Sequence, residues 1–166
     1  PHDVEGLAKL MGGRRKFVEK LQMVFDEGLY DPANEPDIAY AYLFSHFRGE
    51  EWRTQKETRR LLDKYFTTAP DGIPGNDDTG TMSAWAVFTM LGLYPDCPGE
   101  PYYTLTAPVF DRAEIDTDGG TLVIEKRGEG YIRKMTLGDK PLTKYRVGHD
   151  ELLRGGKLTF ELKNER

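Results

Sequence analysis

Carboxylates and a side-chain amide crowd one glycine-bounded loop, Gly72-Ile73-Pro74-Gly75-Asn76-Asp77-Asp78-Thr79-Gly80. Asn76 and Asp78 stand two apart, so in extended backbone they face the same way, whereas the adjacent Asp77 and Asp78 diverge. One of the two aspartates can face a cavity while the other caps or holds the loop. Hydrolysis at a sugar carbon needs one carboxyl group to protonate the leaving oxygen and another to act on water or on the carbon. Asp78 is of the right type for the base. A second acidic segment, Asp31-Pro32-Ala33-Asn34-Glu35-Pro36, carries the same kinds of group. Asn34, Glu35, Asn76, Asp77 and Asp78 are also oxygen donors of the sort calcium takes, about six to eight at a time. Their spacing has nothing of an EF-hand, so the pattern alone does not indicate calcium.

Other chemistries find little support. The histidines His2, His46 and His149 are scattered, and no His-x-x-x-His pair suits zinc. His46 lies in an apolar run and reads as a satisfied core residue. Ser83 is not in a Gly-x-Ser-x-Gly elbow, and the stretch from Gly75 to Gly80 lacks the lysine of a phosphate loop. Cys97 is the single cysteine, so no internal disulfide can form. Tyr40, Tyr42, Phe44, Trp52 and Trp85 could stack on a sugar ring, but their helical spacing also suits a core.

The elements that must hold these loops can be read from periodicity. Residues 14 to 27 put Phe17, Leu21, Val24 and Phe25 on one face, and residues 51 to 66 put Trp52, Leu61, Leu62 and Tyr65 on one face. Residues 36 to 47 and Thr79 to Leu93 are apolar nearly all round, which predicts buried helices. Asp78 or Thr79 is placed to cap the second of these. Helices alternating between one-sided and all-round apolar suit an α/α toroid, in which the inner helices run parallel and their entry loops share one rim. Four or five helices cannot close six pairs, so the arc is open or belongs to a longer chain. Beyond Pro95 short alternating runs separated by Gly and Pro predict a small antiparallel β region: 103–107, a hairpin over 113–125, 131–137 and 157–162, with one helical turn at 149–154. The fold class is therefore α+β, with residues 1–95 helical and 96–166 β.

Composition sets the outer bounds. A chain of 166 residues, 38% hydrophobic and 31% charged, is globular in character. A net charge of −5 leaves no basic footprint for nucleic acid. No run of about twenty apolar residues predicts a membrane span, and no signal peptide is visible. The chain begins Pro1-His2-Asp3 without an initiator Met, so a processed protein or a cut-out piece is expected.

The end of the loop and the start of the next helix, Gly75-Asn76-Asp77-Asp78-Thr79-Gly80-Thr81-Met82-Ser83-Ala84-Trp85, closely resemble the Gly-Asn-x-Asp-x-Gly-x-Met-Ser-Ala-Trp signature of glycoside hydrolase family 92. Asn34-Glu35-Pro36, Trp52-Arg53-Thr54-Gln55, Leu91-Gly92-Leu93-Tyr94-Pro95 and a closing strand after Gly155-Gly156 also fit. The resemblance implies a calcium-dependent, exo-acting, inverting α-mannosidase, periplasmic or secreted. It implies the last helices of an (α/α)6 barrel and the β region after them. Asp78 then matches the general base, with Asn76 and Asp77 beside it. Glu35 matches a sugar-subsite residue, Trp85 lies in the signature as a substrate-side aromatic, and Asn34 with Asp78 is near the calcium. The family's general acid, a Glu, falls before this sequence begins, so the isolated chain is expected to turn over little or no mannoside. Asp37 stands directly after Pro36 where the family commonly has His, which bears on fine specificity. The implied partners are mannose-containing glycans, the remainder of a parent mannosidase, and other copies through exposed apolar faces. Two other readings remain open: a non-catalytic carbohydrate- or calcium-binding module, and an interaction domain whose acidic loop is only a cap.

Overall fold

The computed structural model describes residues 2–165. The chain divides into two compact units, Pro1–Ala86 with Asp96–Pro98, and Val87–Pro95 with Gly99–Arg166. The division falls inside a helix.

The first unit is helical. It holds α1 (Val4–Leu10), α2 (Arg14–Asp26), two 3₁₀ stretches (Glu35–Asp37 and Tyr40–His46), α3 (Glu51–Tyr65) and the start of α4 (Thr81–Leu91). Periodicity gives no sign of α1. It is short, and its N-terminus is secured by Asp3, whose Oδ1 accepts the Gly6 N–H at 2.8 Å. α2 buries Phe17, Val18, Leu21 and Phe25, close to the face its spacing predicts. Aromatic rings fill this core: Tyr42 and Phe44 are fully buried, Phe25 lies 5.9 Å from Phe44, and Phe17 lies 5.4 Å from Phe47.

Two expectations need correction here. Residues 36–47 do not form an α-helix. Ile38 N–H donates to Glu35 O, Tyr42 N–H to Ala39 O and Phe47 N–H to Phe44 O, all three residues back. The aromatic run is apolar all round, so burial does not select α over 3₁₀ geometry, and short 3₁₀ pieces suffice. In α3 the buried face is not the apolar stripe alone: Thr54, Gln55, Glu57 and Thr58 are buried beside Leu61 and Leu62, while Trp52 and Tyr65 are only half-buried. Glu57 is 1% exposed, and is tolerated there because three donors meet it: Arg60 Nε at 2.7 Å, Gln22 Nε2 at 3.1 Å and Lys56 Nζ at 3.3 Å. His46 is satisfied as expected, with Nε2 2.7 Å from the buried Asp96 Oδ2.

The second unit is mostly strand: β1 (Leu93–Tyr94), β2 (Tyr102–Leu105), β3 (Arg112–Thr117), β4 (Gly120–Arg127), β5 (Tyr131–Leu137), β6 (Lys140–Leu142), β7 (Arg146–Gly148), α5 (His149–Leu153) and β8 (Gly156–Lys163). A three-stranded sheet runs β1-β2-β7, and a five-stranded sheet runs β3-β4-β8-β5-β6. The larger sheet is mixed, not antiparallel as predicted. β8 inserts between β4 and β5, antiparallel to β5 but parallel to β4. The crossover through β5 to α5 is long enough to return the chain in the same direction. The hairpin over 113–125 is present, with Thr117 opposite Gly120. Its Gly119 cannot carry a side chain, since a Cβ there would stand 2.4 Å from Leu153 O. Alternate residues of β4 and β8, among them Leu122, Ile124, Leu158, Phe160 and Leu162, form the core of this unit with Met135, Val147 and Leu152.

Candidate functional site

The loop ahead of α4 is built around Asp77. Its Oδ1 accepts the Ser83 N–H at 2.8 Å and its Oδ2 accepts the Ser83 hydroxyl at 2.9 Å. Its carbonyl oxygen accepts the Gly80 and Met82 N–H groups at 3.1 and 3.2 Å. Asp77 is therefore the helix cap, and not Asp78 or Thr79 as the sequence suggested. The reason lies in the backbone: Asp78 and Thr79 both sit in the left-handed region, at φ 48° and 61°, so the chain makes one more tight turn before the helix starts. The Asp78 carbonyl accepts the Thr81 N–H at 3.2 Å and the Thr81 hydroxyl at 2.7 Å. Asp78 itself is exposed, as are Asn76 and Asp77. The two neighbouring aspartates thus divide their labour. One holds the loop, and the other presents its carboxylate to solvent.

The second acidic segment is folded by its own side chains. Asp31 Oδ1 accepts the Ala33 N–H at 2.9 Å, closing a turn across Pro32. Asp37 takes the Asp31 N–H on Oδ2 and the Asn34 amide on Oδ1, both at 3.2 Å. Tyr40 also hydrogen-bonds Asp37; burial raises the Tyr40 pKa above the ordinary tyrosine range, and the Asp37 charge and hydrogen bond add to the rise. The sequence pattern did not reveal this Asp31–Asn34–Asp37–Tyr40 cluster. The signal available for it was the spacing of three residues between successive members from Asp31 onward. Asn34 is exposed, and Glu35 beside it is exposed too.

The two acidic loops touch. A side chain on Gly75, at φ 62°, would stand 2.5 Å from the Ala33 Cβ, so the backbones meet where only glycine fits. Behind them Trp85 Nε1–H donates to Ile38 O at 3.0 Å, tying α4 to the end of the second loop. Trp85 is 2% exposed, stacked on Phe66 at 5.3 Å and edge-on to Tyr42 at 6.3 Å. Its ring belongs to the core and offers no free face to a sugar.

As a metal site the donor set is incomplete. Among the described residues no group of three or more His, Cys, Asp or Glu side chains converges to hold an ion. Both Asp77 oxygens go to Ser83, and both Asp37 oxygens are engaged by Asp31 and Asn34. Asn34 and Asp78 would bring two of the six to eight oxygens that calcium takes, roughly a quarter to a third of a shell.

The model of the glycosyl hydrolase family 92 catalytic domain matches residues 1–164. A curated relative, described as an uncharacterized secreted glycosidase of Arthroderma benhamiae, is 34% identical over 173 residues that cover 99% of this chain and 22% of the relative. Among solved structures, a family 92 α-mannosidase from Bacteroides thetaiotaomicron superposes with TM-score 0.85 at 27% identity, over 92% of this chain and 22% of that one. A family 92 inverting mannosidase from the same species gives TM-score 0.84 at 29% identity, over 98% of this chain and 26% of that one. The chain spans between 22% and 26% of the length of these relatives.

Proposed function

The chain belongs to glycosyl hydrolase family 92, and from that premise we propose that it supplies the base half of an α-mannosidase active site. The whole protein then removes terminal α-mannose from glycans by an inverting, single displacement. Asp78 takes a proton from the attacking water on the face opposite the leaving group. Glu35, with Asn34 beside it, contacts the sugar from the adjoining loop, and Asn76 flanks the base. The general acid comes from outside this chain, since no residue here matches it. Calcium is proposed as a cofactor of the whole protein. Asn34 and Asp78 lie nearest to serving it, and the remaining oxygens come from elsewhere. The (α/α)6 barrel is proposed likewise for the whole protein, with α2 to α4 as part of its last turns. A secreted or periplasmic location fits the description of the Arthroderma relative as secreted. Among the described residues no helix is long and apolar enough to cross a membrane.

The observation that carries this reading is the contact of Gly75 with Ala33, which sets an exposed aspartate and an exposed glutamate on abutting loops. The test is Asp78→Asn in the longest natural chain that carries this sequence, assayed on an aryl α-mannoside. Loss of the base lowers kcat by about a hundred- to ten-thousand-fold. A variant within threefold of the parent removes Asp78 from the role.

A further inference from the structure

Asp78 and Thr79 are consecutive non-glycine residues with positive φ. Side chains rarely adopt this conformation, a β-branched one least of all, and it persists where the surroundings over-determine it. Here the surroundings are a closed set of bonds from residue 77 to residue 83. The Asp77 carboxylate grips Ser83 at its N–H and its hydroxyl. Between those ends, the Asp77 carbonyl takes the Gly80 and Met82 N–H groups, and the Asp78 carbonyl takes Thr81 twice. The Asp77–Ser83 clasp and the Thr81 hydroxyl bond are the parts of this ring that a substitution can open without breaking the helix backbone, and the clasp is the one that spans it from end to end.

We propose that Asp77 is a positioning residue for the Asp78 base, acting through its clasp on Ser83 and not by touching substrate. The proposal rests on the reading of Asp78 as the base. With the clasp closed, the left-handed pair cannot relax, and the direction of the Asp78 carboxylate is set by the rigid start of α4. With the clasp open, Thr79 returns to negative φ and the Asp78 carboxylate swings away from its water. A displacement of about 1 Å at a reacting group costs on the order of a hundredfold in rate. Ser83 has a matching part: its hydroxyl donates to Asp77 Oδ2.

The experiment compares Asp77→Ala, Asp77→Asn, Ser83→Ala and Asp78→Asn in the longest natural chain carrying this sequence, with p-nitrophenyl α-mannoside as probe. Asp77→Ala is expected to lower kcat about 10- to 100-fold while KM stays within about threefold, because the group lost does not touch sugar. Asp77→Asn keeps an oxygen for the Ser83 N–H and recovers kcat to within about threefold of the parent. Ser83→Ala loses one of the two bonds and falls about 3- to 10-fold. Azide, a small external nucleophile, restores turnover to Asp78→Asn by taking the place of activated water. It does not restore Asp77→Ala, in which the base is still present. Parental kcat in Asp77→Ala overturns the positioning role while a collapse of Asp78→Asn leaves the base assignment standing. Parental kcat in Asp78→Asn overturns the base assignment itself. Should Asp77→Ala fail to fold, Ser83→Ala decides, since unchanged kcat there overturns the proposal.

Discussion

Tyr40 shows how a single contact becomes a pH dependence. Burial first, and then the Asp37 charge and hydrogen bond, raise its pKa above the ordinary value near 10. The folded state therefore keeps a proton that the unfolded chain releases. The stability this contributes is complete at neutral pH and is lost as pH rises through the folded pKa. In an absorbance titration of phenolate Tyr40 should ionise late, and Asp37→Asn should bring part of the late phase to lower pH; no change would leave burial as the sole cause. Asp96 gives a second test at this scale. It is 1% exposed and meets His46 at 2.7 Å. Truncation to Ala removes this bond from the buried carboxylate side, and should cost about 2–4 kcal/mol in denaturant unfolding. The roles of Asp77 and Asp78 were legible only as a division, one holding and one facing outward. Which does which depends on two positive φ values that no residue pattern announces, since neither residue is glycine.

Among the elements, α2 and α3 were readable because each has a wet side. A one-sided stripe has a period, and a period betrays a helix. The 36–47 segment lacks that contrast: Tyr42 and Phe44 are fully buried and their neighbours are apolar too, so periodicity could not separate α from 3₁₀. In α3 the buried Glu57 was unreadable because its donors come partly from α2 through Gln22, a contact distant in sequence. The mixed sheet was missed for a similar reason. β8 reads as an alternating strand on its own, but its parallel pairing to β4 is settled by what lies between them. The predicted single turn at 149–154 is α5, and Glu151 sets its start by accepting the Gly148 N–H at 3.2 Å and Lys140 Nζ at 2.6 Å. The Lys140 hydrogen bond first, and the Gly148 N–H second, hold its carboxyl below the usual glutamate range. For a lowered pKa the stabilisation is present above the unfolded value, near 4.3, and is lost as pH falls through the folded one. Glu151→Gln should therefore lower Tm at pH 7, and the difference from the parent should shrink as the medium is acidified past the glutamate range. A gap that stays constant with pH would mean that shape and not charge is at issue.

At the scale of the whole molecule, apolar surface and the short span of the relatives that the chain covers can be read together. α4 reads as a helix that should be buried, yet Val87 is 56% exposed; Leu10 is 88%, Leu29 59% and Leu7 46% exposed. In the first unit Val4, Leu7, Leu10 and Leu43 line a cleft of about 730 Å³. Exposed apolar side chains of this kind favour association, so the isolated 166-residue chain should self-associate in light scattering, and Leu7→Lys with Leu10→Lys should reduce it. The catalytic expectation is stricter. The relatives are roughly four times longer than this chain, which spans 22% to 26% of them. If the chain holds the base alone, as proposed above, it forgoes about a hundred- to ten-thousand-fold of rate on a substrate whose leaving group needs a proton. An alkyl α-mannoside has such a leaving group; an activated aryl mannoside does not. The isolated chain is therefore expected to turn over the alkyl substrate at less than about a hundredth of the rate of the longest natural chain. Any residual activity should favour the activated aryl glycoside, and Asp78→Asn should abolish it. Equal rates on the alkyl mannoside would place a proton donor within these 166 residues. The first carboxyl to test would then be Glu35, because its loop already rests against the one that carries Asp78.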